Sequence, residues 1–529
     1  MYKRQRKADL LAVYIVDITL AQPGREAALL AQFAGNPHIQ PTPDMAWHPV
    51  GQAPANLPLR PVVVGFGPCG IFAALVLAQM GFKPIVLERG KTVRERTKDT
   101  WGLWRKRELH AESNVQFGEG GAGTFSDGKL YSQIKDPRHL GRKVMNEFVK
   151  AGAPEEILYV AHPHIGTFKL VKVVENLREQ IIALGGEIRF EQRVTDVIIE
   201  GQGDQRHLRG LKVLNQATGE TTELRADHVV MALGHSSRDT FAMLYQRGVA
   251  MEAKPFSIGF RIEHPQGVID RARWGRHAGH PLLGAADYKL VHHAANGRAV
   301  YSFCMCPGGT VVAATSEPHR VVTNGMSQYS RNERNANAGM VVGIDPRDYP
   351  QDAQAFETHL GQTYGVEALP AGQFHPLSGS VLQRQLESNA FVLGGRDYSA
   401  PGQLVGEFIA GKPSTQLGSV EPSYKPGVAL GDLHAALPGY AIEALREALP
   451  VFGRKIKGFD MHDAVLTGVE TRTSSPLKIG RGDNLQSLNT PGLYPAGEGA
   501  SYAGGILSAG VDGIKVGEAV ARSLLGAAG

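Results

Sequence analysis

A glycine-rich turn between a strand and a helix is the feature that most constrains the fold of this chain. Residues 61–64 (PVVV) are a β-branched run, typical of a strand that is buried on both faces. They lead into residues 65–70 (GFGPCG), a helical stretch at 71–80 and a second apolar run at 84–87, which ends at Glu88. Strand, glycine turn, helix and strand in this order predict a βαβ unit with a dinucleotide-binding fingerprint.

Each glycine of this fingerprint has its own physical reason. Gly65 permits the tight turn out of the strand, Gly67 lets the backbone approach a diphosphate, and Gly70 lets the helix pack close to the strand. The diphosphate is then expected at a helix N-terminus, where free N–H groups favour an anion. Glu88 is expected to accept hydrogen bonds from ribose hydroxyls and to repel a 2′-phosphate, which disfavours NADP here. The predicted cofactor contacts of this unit are Gly65, Gly67, Pro68, Cys69, Gly70, Glu88 and Arg89.

The far end of the chain separates FAD from NAD as the dinucleotide. Residues 492–499 (GLYPAGEG) and 501–506 (SYAGGI), with a helix expected at 507–524, resemble the carboxy-terminal motif of the large group of FAD proteins that includes the aromatic hydroxylases. In that group the acid of the motif is usually Asp, whereas this chain has Glu498. The resemblance implies that Val194 contacts the adenine and that a glycine turn at Gly234 also contacts the cofactor. It further implies that the flavin side is contacted by Gly497, Glu498, Gly505 and Ile506.

A second glycine-rich loop, residues 114–130 (NVQFGEGGAGTFSDGKL), also contains a GxGxxG spacing. No convincing strand precedes it and no helix-forming run follows it, which argues against a second Rossmann site. We expect a loop that lines the phosphates and the flavin through its N–H groups and through Gly123, Thr124, Ser126 and Lys129. A purely structural turn is the alternative.

Several segments together indicate a family. They are VVVGFGPCGIFAALVLAQMGFKPIVLERG, NVQFGEGGAGTFSDGKL, HPHIGT, YSFCMCPGGTVVAA with VVTNGMS, GVETRTSSP and GLYPAGEGASYAGGI. With them the chain resembles a bacterial family of uncharacterised FAD-dependent dehydrogenases, within the wider glutathione-reductase-type FAD/NAD(P)-binding superfamily. The resemblance covers nearly everything after residue 57 and implies non-covalent FAD and a fold, but no substrate.

The predicted fold class is α/β. It comprises a Rossmann-like FAD-binding domain, whose parallel sheet is discontinuous in sequence, an inserted α+β substrate domain and a small N-terminal α+β module. The module is expected to contain a strand at 11–20, a helix at 25–33 and a proline-rich linker at 37–61. The predicted boundaries are 1–56 for the N-terminal module and linker, 57–250 and 461–529 for the FAD-binding domain, and 251–460 for the substrate-covering domain.

The residues that would carry the chemistry are only weakly marked. Cys304 and Cys306 form a C-x-C pair that could present a thiol to the flavin, but strand alternation would strain a disulfide between them, so structural cysteines are the alternative. His164 is expected to make a polar contact near the flavin, and no third ligand joins it and His162 in a metal site. Arg472 is expected either to anchor an anionic substrate or to be ion-paired.

The composition of the chain bears on its cellular compartment and on the classes of partner it could bind. The chain has 56 Lys and Arg against 51 Asp and Glu, and this small, dispersed excess does not predict nucleic-acid binding. Its 3 cysteines are too few for a disulfide framework and favour a reducing compartment. No apolar run reaches the roughly 18 residues of a membrane span. Asp9 and Asp17 interrupt the signal-like start of the chain, so a cytoplasmic location is expected.

Together these features predict an FAD-dependent oxidoreductase that transfers a hydride between flavin N5 and an unidentified small organic substrate. No second long dinucleotide fingerprint is present, so NAD(P)H, if it is the reductant, is expected to dock transiently. A flavin-dependent tRNA-modifying protein and an FAD-binding protein without turnover are the alternatives.

Overall fold

The computed structural model describes residues 10–526, and residues 1–9 and 527–529 lie outside the described part. The basic residues Lys3, Arg4, Arg6 and Lys7 lie outside the described part of the chain. Within residues 10–526, none of the helices combines the length and the hydropathy that crossing a bilayer needs.

The described residues form α-helices and β-strands along the whole chain. The helices are α1 (Glu26–Gln32), α2 (Pro68–Gln79), α3 (Val93–Lys106), α4 (Leu140–Lys150), α5 (Thr167–Ala183), α6 (Arg238–Gln246), α7 (Gln266–Trp274), α8 (Ala353–Leu360), α9 (Ser378–Leu393), α10 (Val405–Ala410), α11 (Gly439–Lys455) and α12 (Ile506–Leu524). The strands are β1 (Val62–Val64), β2 (Ile85–Leu87), β3 (Glu187–Arg189), β4 (Gln192–Glu200), β5 (His207–Asn215), β6 (Thr221–Arg225), β7 (Val229–Met231), β8 (Met251–Ala253), β9 (Phe256–Pro265), β10 (Val291–His293), β11 (Ala299–Ala313), β12 (Thr323–Ser327), β13 (Asn335–Ile344), β14 (Ala400–Leu404), β15 (Val428–Leu430), β16 (Val465–Glu470), β17 (Leu477–Ile479) and β18 (Leu493–Pro495).

Five short strands form a parallel sheet in the order β18-β7-β1-β2-β3. The strands β1, β2, β7 and β18 are buried along their whole length, which is why they are apolar runs without alternation. The carboxyl ends of parallel strands open on the same edge of a sheet. The turns that follow β1 and β18 therefore meet at one edge, although they come from opposite ends of the sequence.

Helices α2 and α12 pack closely because glycines remove side chains from the contact. A Cβ at Gly513 would lie 2.2 Å from the carbonyl oxygen of Cys69, and one at Gly517 would lie 2.6 Å from Cγ2 of Val76. Such distances exclude any larger residue at either position. This packing brings the first and the last glycine motif of the sequence against each other.

The larger sheet is mixed and has the order β10-β11-β13-β9-β16-β14-β15, with β12 paired to β11. Helix α11 packs on it, and Phe260, Phe408 and Phe452 are buried in the core between them. Strand β16 belongs to this sheet, so the sheet continues past the boundary predicted at residue 460. A three-stranded antiparallel sheet, β4-β5-β6, and the pair β8-β17 complete the strand pairing of the described residues.

Among the described residues, 10–47 form a compact unit of their own. The helix predicted at 25–33 is confirmed as α1, and residues 37–61 contain neither helix nor strand, as predicted for proline-rich chain. The strand predicted at 11–20 is wrong, because the described residues of that segment have no regular secondary structure. A strand needs a neighbour for its N–H and C=O groups, and the rest of the described unit offers only a short helix and proline-rich chain.

Candidate functional site

One cavity of about 400 Å³ brings together residues from distant parts of the sequence. Its wall comes from the turns after β1 and β7, the loop at 116–132, the turn before α12, and one face of the mixed sheet. The predicted site residues that line it are Gly65, Gly67, Pro68, Cys69, Glu88, Arg89, Gly123, Ser126, Lys129, Val194, Gly234, Cys304, Arg472, Gly497, Glu498, Gly505 and Ile506. Those that do not line it are Gly70, Thr124, His164 and Cys306.

The three glycines of the first turn differ in what they allow. Gly65 has a φ of +96°, and a Cβ on it would lie 2.3 Å from the carbonyl oxygen of Ala232. A Cβ on Gly70 would lie 1.9 Å from the carbonyl oxygen of Gly65, so Gly70 serves the packing of helix on strand and is not a cofactor contact. A Cβ on Gly67 would have only an ordinary contact, 3.5 Å from Cα of Gly121. The protein itself therefore tolerates a side chain at Gly67, and the open space there belongs to the cavity.

Helix α2 begins at this turn without a side-chain cap. The first N–H groups of a helix have no partner within the helix, and they carry the positive end of its dipole. Helix α12 also begins uncapped, at Gly505, and a Cβ on Gly504 or Gly505 would meet nothing within 4 Å. Two helix N-termini on one cavity make it suited to a long ligand that carries negative charge.

Glu88 lies on the cavity wall, but its carboxylate is already engaged with the main chain. It is 4% exposed and accepts hydrogen bonds from the N–H groups of Phe66 (2.8 Å), Gly90 (2.8 Å) and Gly118 (3.0 Å). A carboxylate offers about four acceptor positions, so three of them are filled. The predicted hydrogen bonds to ribose hydroxyls are thus reduced to one remaining position, and the main task of Glu88 is to fasten the turn to the neighbouring loops.

The second glycine loop is fastened to α3 by a buried arginine and to the first turn by a main-chain hydrogen bond. Arg96 is fully buried and donates to the carbonyls of Val115 (2.8 Å) and Glu119 (2.7 Å). Burial lowers the pKa of Arg96 to about 10. The N–H of Gly120 donates to the carbonyl of Phe66 over 2.8 Å. No strand precedes this loop and no α-helix follows it directly, so it is a wall of the first site and not a second Rossmann site.

Thr124 is a wrong prediction within this loop. It lies in a short 3-10 turn, is 1% exposed, and does not reach the cavity. The turn directs its hydroxyl inward, toward Gly120, where a Cβ would lie 2.2 Å from Thr124 Oγ1. Ser126 does line the cavity, and its hydroxyl donates to the carbonyl of Gly123 (2.7 Å) and accepts from the N–H of Gly128 (3.0 Å).

The carboxy-terminal motif places an acid and a histidine side by side. Glu498 Oε1 lies 3.2 Å from Nδ1 of His235, and both residues line the cavity. Gly497 has a φ of +69°, and a Cβ on it would lie 2.9 Å from Cβ of Cys69. Its N–H donates to the Asp512 carboxylate over 2.8 Å. This turn is therefore built against the start of α2.

The mixed sheet contributes a polar part of the wall that the sequence analysis did not assign. Glu470 and Asn324 line the cavity, and behind them Arg261 donates to the Glu470 carboxylate over 2.8 and 3.3 Å. Burial raises the pKa of Glu470, against the opposing effect of Arg261. A signal for this polar wall was present in the sequence, because Arg261 lies in the middle of the apolar strand SIGFRIE and a buried arginine requires a buried partner.

Arg472 lines the cavity, but its guanidinium is fully engaged in an ion-pair cluster. It donates to the Glu387 carboxylate over 2.9 and 2.8 Å, and to the hydroxyls of Ser236 (3.1 Å) and Ser316 (2.8 Å). Glu387 also pairs with buried Arg238 at 2.9 Å. Of the two expectations for Arg472, the ion-paired state is the one observed.

His164 is displaced from the cavity by its packing. Its Nε2 lies 2.9 Å from the carbonyl oxygen of Tyr329, and the two rings stack with centroids 5.3 Å apart. Burial lowers the pKa of His164 to about 4, so the imidazole is neutral. His164 therefore does not line the cavity. Nowhere in residues 10–526 do three or more His, Cys, Asp or Glu side chains group as they would to hold a metal ion.

Comparisons with known proteins agree with this geometry. A family model described as "FAD binding domain" matches residues 60–262, and one described as "FAD-dependent protein, C-terminal domain-like" matches residues 255–473. An uncharacterized protein of Clostridium beijerinckii is 49% identical over 461 residues, which cover 87% of this chain and 80% of that protein.

Solved structures are more distant. Quinol fumarate reductase FrdA of E. coli is 14% identical with a TM-score of 0.37, covering 89% of this chain and 71% of that one. A flavoprotein/dehydrogenase of Cytophaga hutchinsonii is 12% identical with a TM-score of 0.34, covering 89% and 80%.

Proposed function

Because the chain belongs to the family of FAD-dependent oxidoreductases, whose FAD-binding and C-terminal models together match residues 60–473, we propose that it transfers a hydride between FAD and a small organic substrate in the cavity described above. The observation that carries the proposal is that one cavity joins both FAD motifs of the sequence to a polar wall from another sheet. Bound FAD would contact the two motifs, and the polar wall would contact the substrate.

The residues present fit FAD. Gly67 leaves open space beside an uncapped helix N-terminus, which suits a diphosphate. Gly504 and Gly505 leave open space beside the uncapped start of α12, whose dipole suits a group that gains negative charge. Val194 lines the cavity from β4, where the family resemblance implies an adenine contact. When bound, FAD supplies acceptance and donation of a hydride at N5.

The chain's own residues bind FAD and orient the substrate, and one of them holds a proton. The N–H groups at the start of α2 bind the diphosphate, and Glu88 keeps the turn and the loop at a fixed separation. We assign the exchange of a proton with the substrate to Glu470, since its carboxyl lies on the wall and burial raises its pKa. Asn324 provides an amide beside it for orienting a polar substrate.

NAD(P)H is proposed as a transient reductant. Among the sheets of residues 10–526, only the five-stranded sheet is parallel throughout and carries a glycine turn of the dinucleotide type, and that turn is assigned to FAD. A nicotinamide nucleotide would therefore visit the substrate side of the cavity and leave after reducing the flavin.

The experiment is an anaerobic screen of the purified protein by visible absorbance. The expected preparation is yellow, is bleached by NADH or NADPH, and regains its colour with one class of small organic acceptor. Gly67→Ala protein serves as a flavin-poor control. A colourless preparation that does not take up added FAD would contradict the proposal. RNA that co-purifies with an affinity falling steeply with salt would favour the tRNA-modifying alternative.

A further inference from the structure

Cys304 and Cys306 are the residues near the cavity whose chemistry the proposed function leaves unused. Both lie on β11, but the strand is irregular there. Phe303 pairs with Gly339 and Cys306 pairs with Asn337, so three steps on β11 face two steps on β13. This is a β-bulge, and Cys304 lies in it with a φ of +42°. The strict alternation from which a strained cysteine pair was expected is therefore absent.

The bulge is fixed by two cations. Arg261 Nη1 donates to the carbonyl of Cys304 over 2.9 Å, and Lys129 Nζ donates to the carbonyl of Met305. The thiol of Cys306 donates to the carbonyl of Cys304 over 3.4 Å. Both cysteines thus occupy defined positions, with a guanidinium and an ammonium bound to the main chain between and beside them.

The two thiols differ in access. Cys304 is partly exposed and lines the cavity, whereas Cys306 is fully buried behind it. Gly325 makes room for this arrangement, because a Cβ there would lie 2.5 Å from Nη1 of Arg261 and 3.0 Å from Sγ of Cys306. An accessible thiol with a buried thiol close behind it is the arrangement of an attacking and a resolving cysteine.

The surroundings of the thiols carry an excess of positive charge. Lys129 Nζ lies 3.6 Å from the Asp127 carboxylate, and Arg331 Nε donates to the same carboxylate over 2.9 Å. Arg261 pairs with Glu470 at 2.8 Å. The cluster thus contains three cations and two carboxylates. One further negative charge, such as a thiolate, would make its net charge zero. Reactive cysteines occur in such electropositive, partly exposed positions.

The titration of the cluster agrees with its charge. The pKa of the Cys304 thiol is held well below its usual range by neighbouring Cys306 and then by Lys129 and Arg261, while burial opposes them. Burial raises the pKa of Tyr288, which packs near Cys306 and stays neutral.

We propose that Cys304 and Cys306 are a redox-active dithiol that reduces low-molecular-weight disulfides entering the cavity. The Cys304 thiolate attacks one sulfur of the disulfide, a mixed disulfide forms, and the other half leaves as a thiolate. Cys306 then gives up its proton as its sulfur attacks Cys304, and the second half leaves as a thiol. Two protein thiols are oxidised to one protein disulfide, and one external disulfide is reduced to two thiols. This activity goes beyond the proposed hydride transfer and does not depend on it.

The first test uses the full chain as purified, in a Cys69→Ser background. Protein is incubated with oxidised glutathione at pH 7, quenched with acid and digested with trypsin, which yields residues 299–320 as one peptide with both cysteines. The expected mass of this peptide falls by about 2 Da in the parent. In Cys306→Ser a mixed disulfide with glutathione accumulates, and in Cys304→Ser it forms at least about tenfold more slowly. An unchanged peptide in the parent, or equal rates in the two variants, would overturn the proposal.

A second test needs no change at either cysteine. The rate at which iodoacetamide alkylates Cys304 is followed against pH in the Cys69→Ser protein, both folded and unfolded in urea. The midpoint in the folded protein is expected well below that in the unfolded protein, and Lys129→Gln is expected to move it upward. A structural pair of cysteines predicts no such difference, so coincident midpoints would overturn the proposal as well.

Discussion

The carboxylate of Glu88 accepts a hydrogen bond of 3.0 Å from the N–H of Gly118, 30 positions further along the chain. The same carboxylate accepts from Phe66, at the tip of the first glycine turn. One side chain therefore fastens the turn to the loop that packs against it in the cavity wall. Binding of FAD should depend on this side chain even where the two do not touch.

Glu88→Gln tests this relationship. The amide replaces one acceptor oxygen with a donor, so at least one buried N–H loses its partner, at about 1–3 kcal/mol. We expect a loss of that size in the free energy of unfolding of the flavin-free protein, measured in urea, and at least about tenfold weaker FAD binding, about 1.4 kcal/mol. Glu252→Gln is the control, because the Glu252 side chain is 67% exposed and pairs with Lys478 at 3.4 Å. Equal FAD affinity in both variants would contradict this account.

Gly67→Ala separates binding from folding. A Cβ at this position has only ordinary contacts, so the flavin-free variant should unfold at nearly the same urea concentration as the parent. The methyl group takes up cavity space beside the start of α2, so FAD binding should weaken at least about tenfold. Gly70→Ala is the matched comparison, with a Cβ 1.9 Å from a carbonyl oxygen, and should lose about 1–3 kcal/mol of stability. If Gly67→Ala binds FAD as the parent does, the diphosphate is not at this turn.

Arg96→Lys tests how the second glycine loop is held. A planar guanidinium reaches several carbonyls at once, and an ammonium cannot reproduce that fork. With two buried carbonyls left without a donor, we expect a loss of about 2–4 kcal/mol in the free energy of unfolding, with a parallel loss of bound flavin. Arg94→Lys on the same helix is the control, since Arg94 is 68% exposed. Similar urea midpoints for the two variants would show that the loop is held by other contacts.

Glu387→Gln gives a prediction with a defined pH dependence. Burial alone would raise the pKa of Glu387, but Arg238 and Arg472 lower it to about 2, below its usual 4.5. A carboxyl with a lowered pKa in the folded state contributes stability above about pH 4.5 and loses it as the pH falls toward 2. The variant removes the carboxylate that pairs with buried Arg472 and leaves buried Arg238 with Glu317, at about 3–5 kcal/mol near pH 7.

The measurement is urea unfolding of parent and variant at pH 7, 5, 4 and 3. The stability difference between them should be constant from pH 7 to 5 and should shrink below that. Glu421→Gln, at an ion pair in which both side chains are mostly exposed, should show little difference at any pH. A difference for Glu387→Gln that does not change with pH would rule out the lowered pKa.

Local signals predicted the parallel sheet and the glycine turns. Strands β1, β2 and β7 and helix α12 lie close to their predicted positions. A strand buried on both faces and a glycine turn can each be identified from a few consecutive residues. The strand expected at 11–20 failed for a reason that no local pattern contains. Whether a neighbouring strand exists depends on the rest of the fold.

The site residues divide in the same way. Gly65 and Gly497 were predictable, since their positive φ values follow from the turns in which they lie. The partners of Glu88 were not, because a loop 30 positions away supplies one of them. Arg472 was undecided from sequence, since Glu387 comes from α9 and not from any segment near it. The chemical environment of Cys304 depends on a bulge that an alternating sequence does not reveal.

The close packing of α12 on α2 has a consequence for how the protein is made. On the ribosome the first glycine turn emerges long before residues 506–524, which complete the cavity and supply its second helix N-terminus. Until that late segment is synthesised, the nascent chain exposes the apolar flank of α2 and has only half of a cofactor site. A complete cavity therefore forms only after residues 506–524 have emerged and packed on α2.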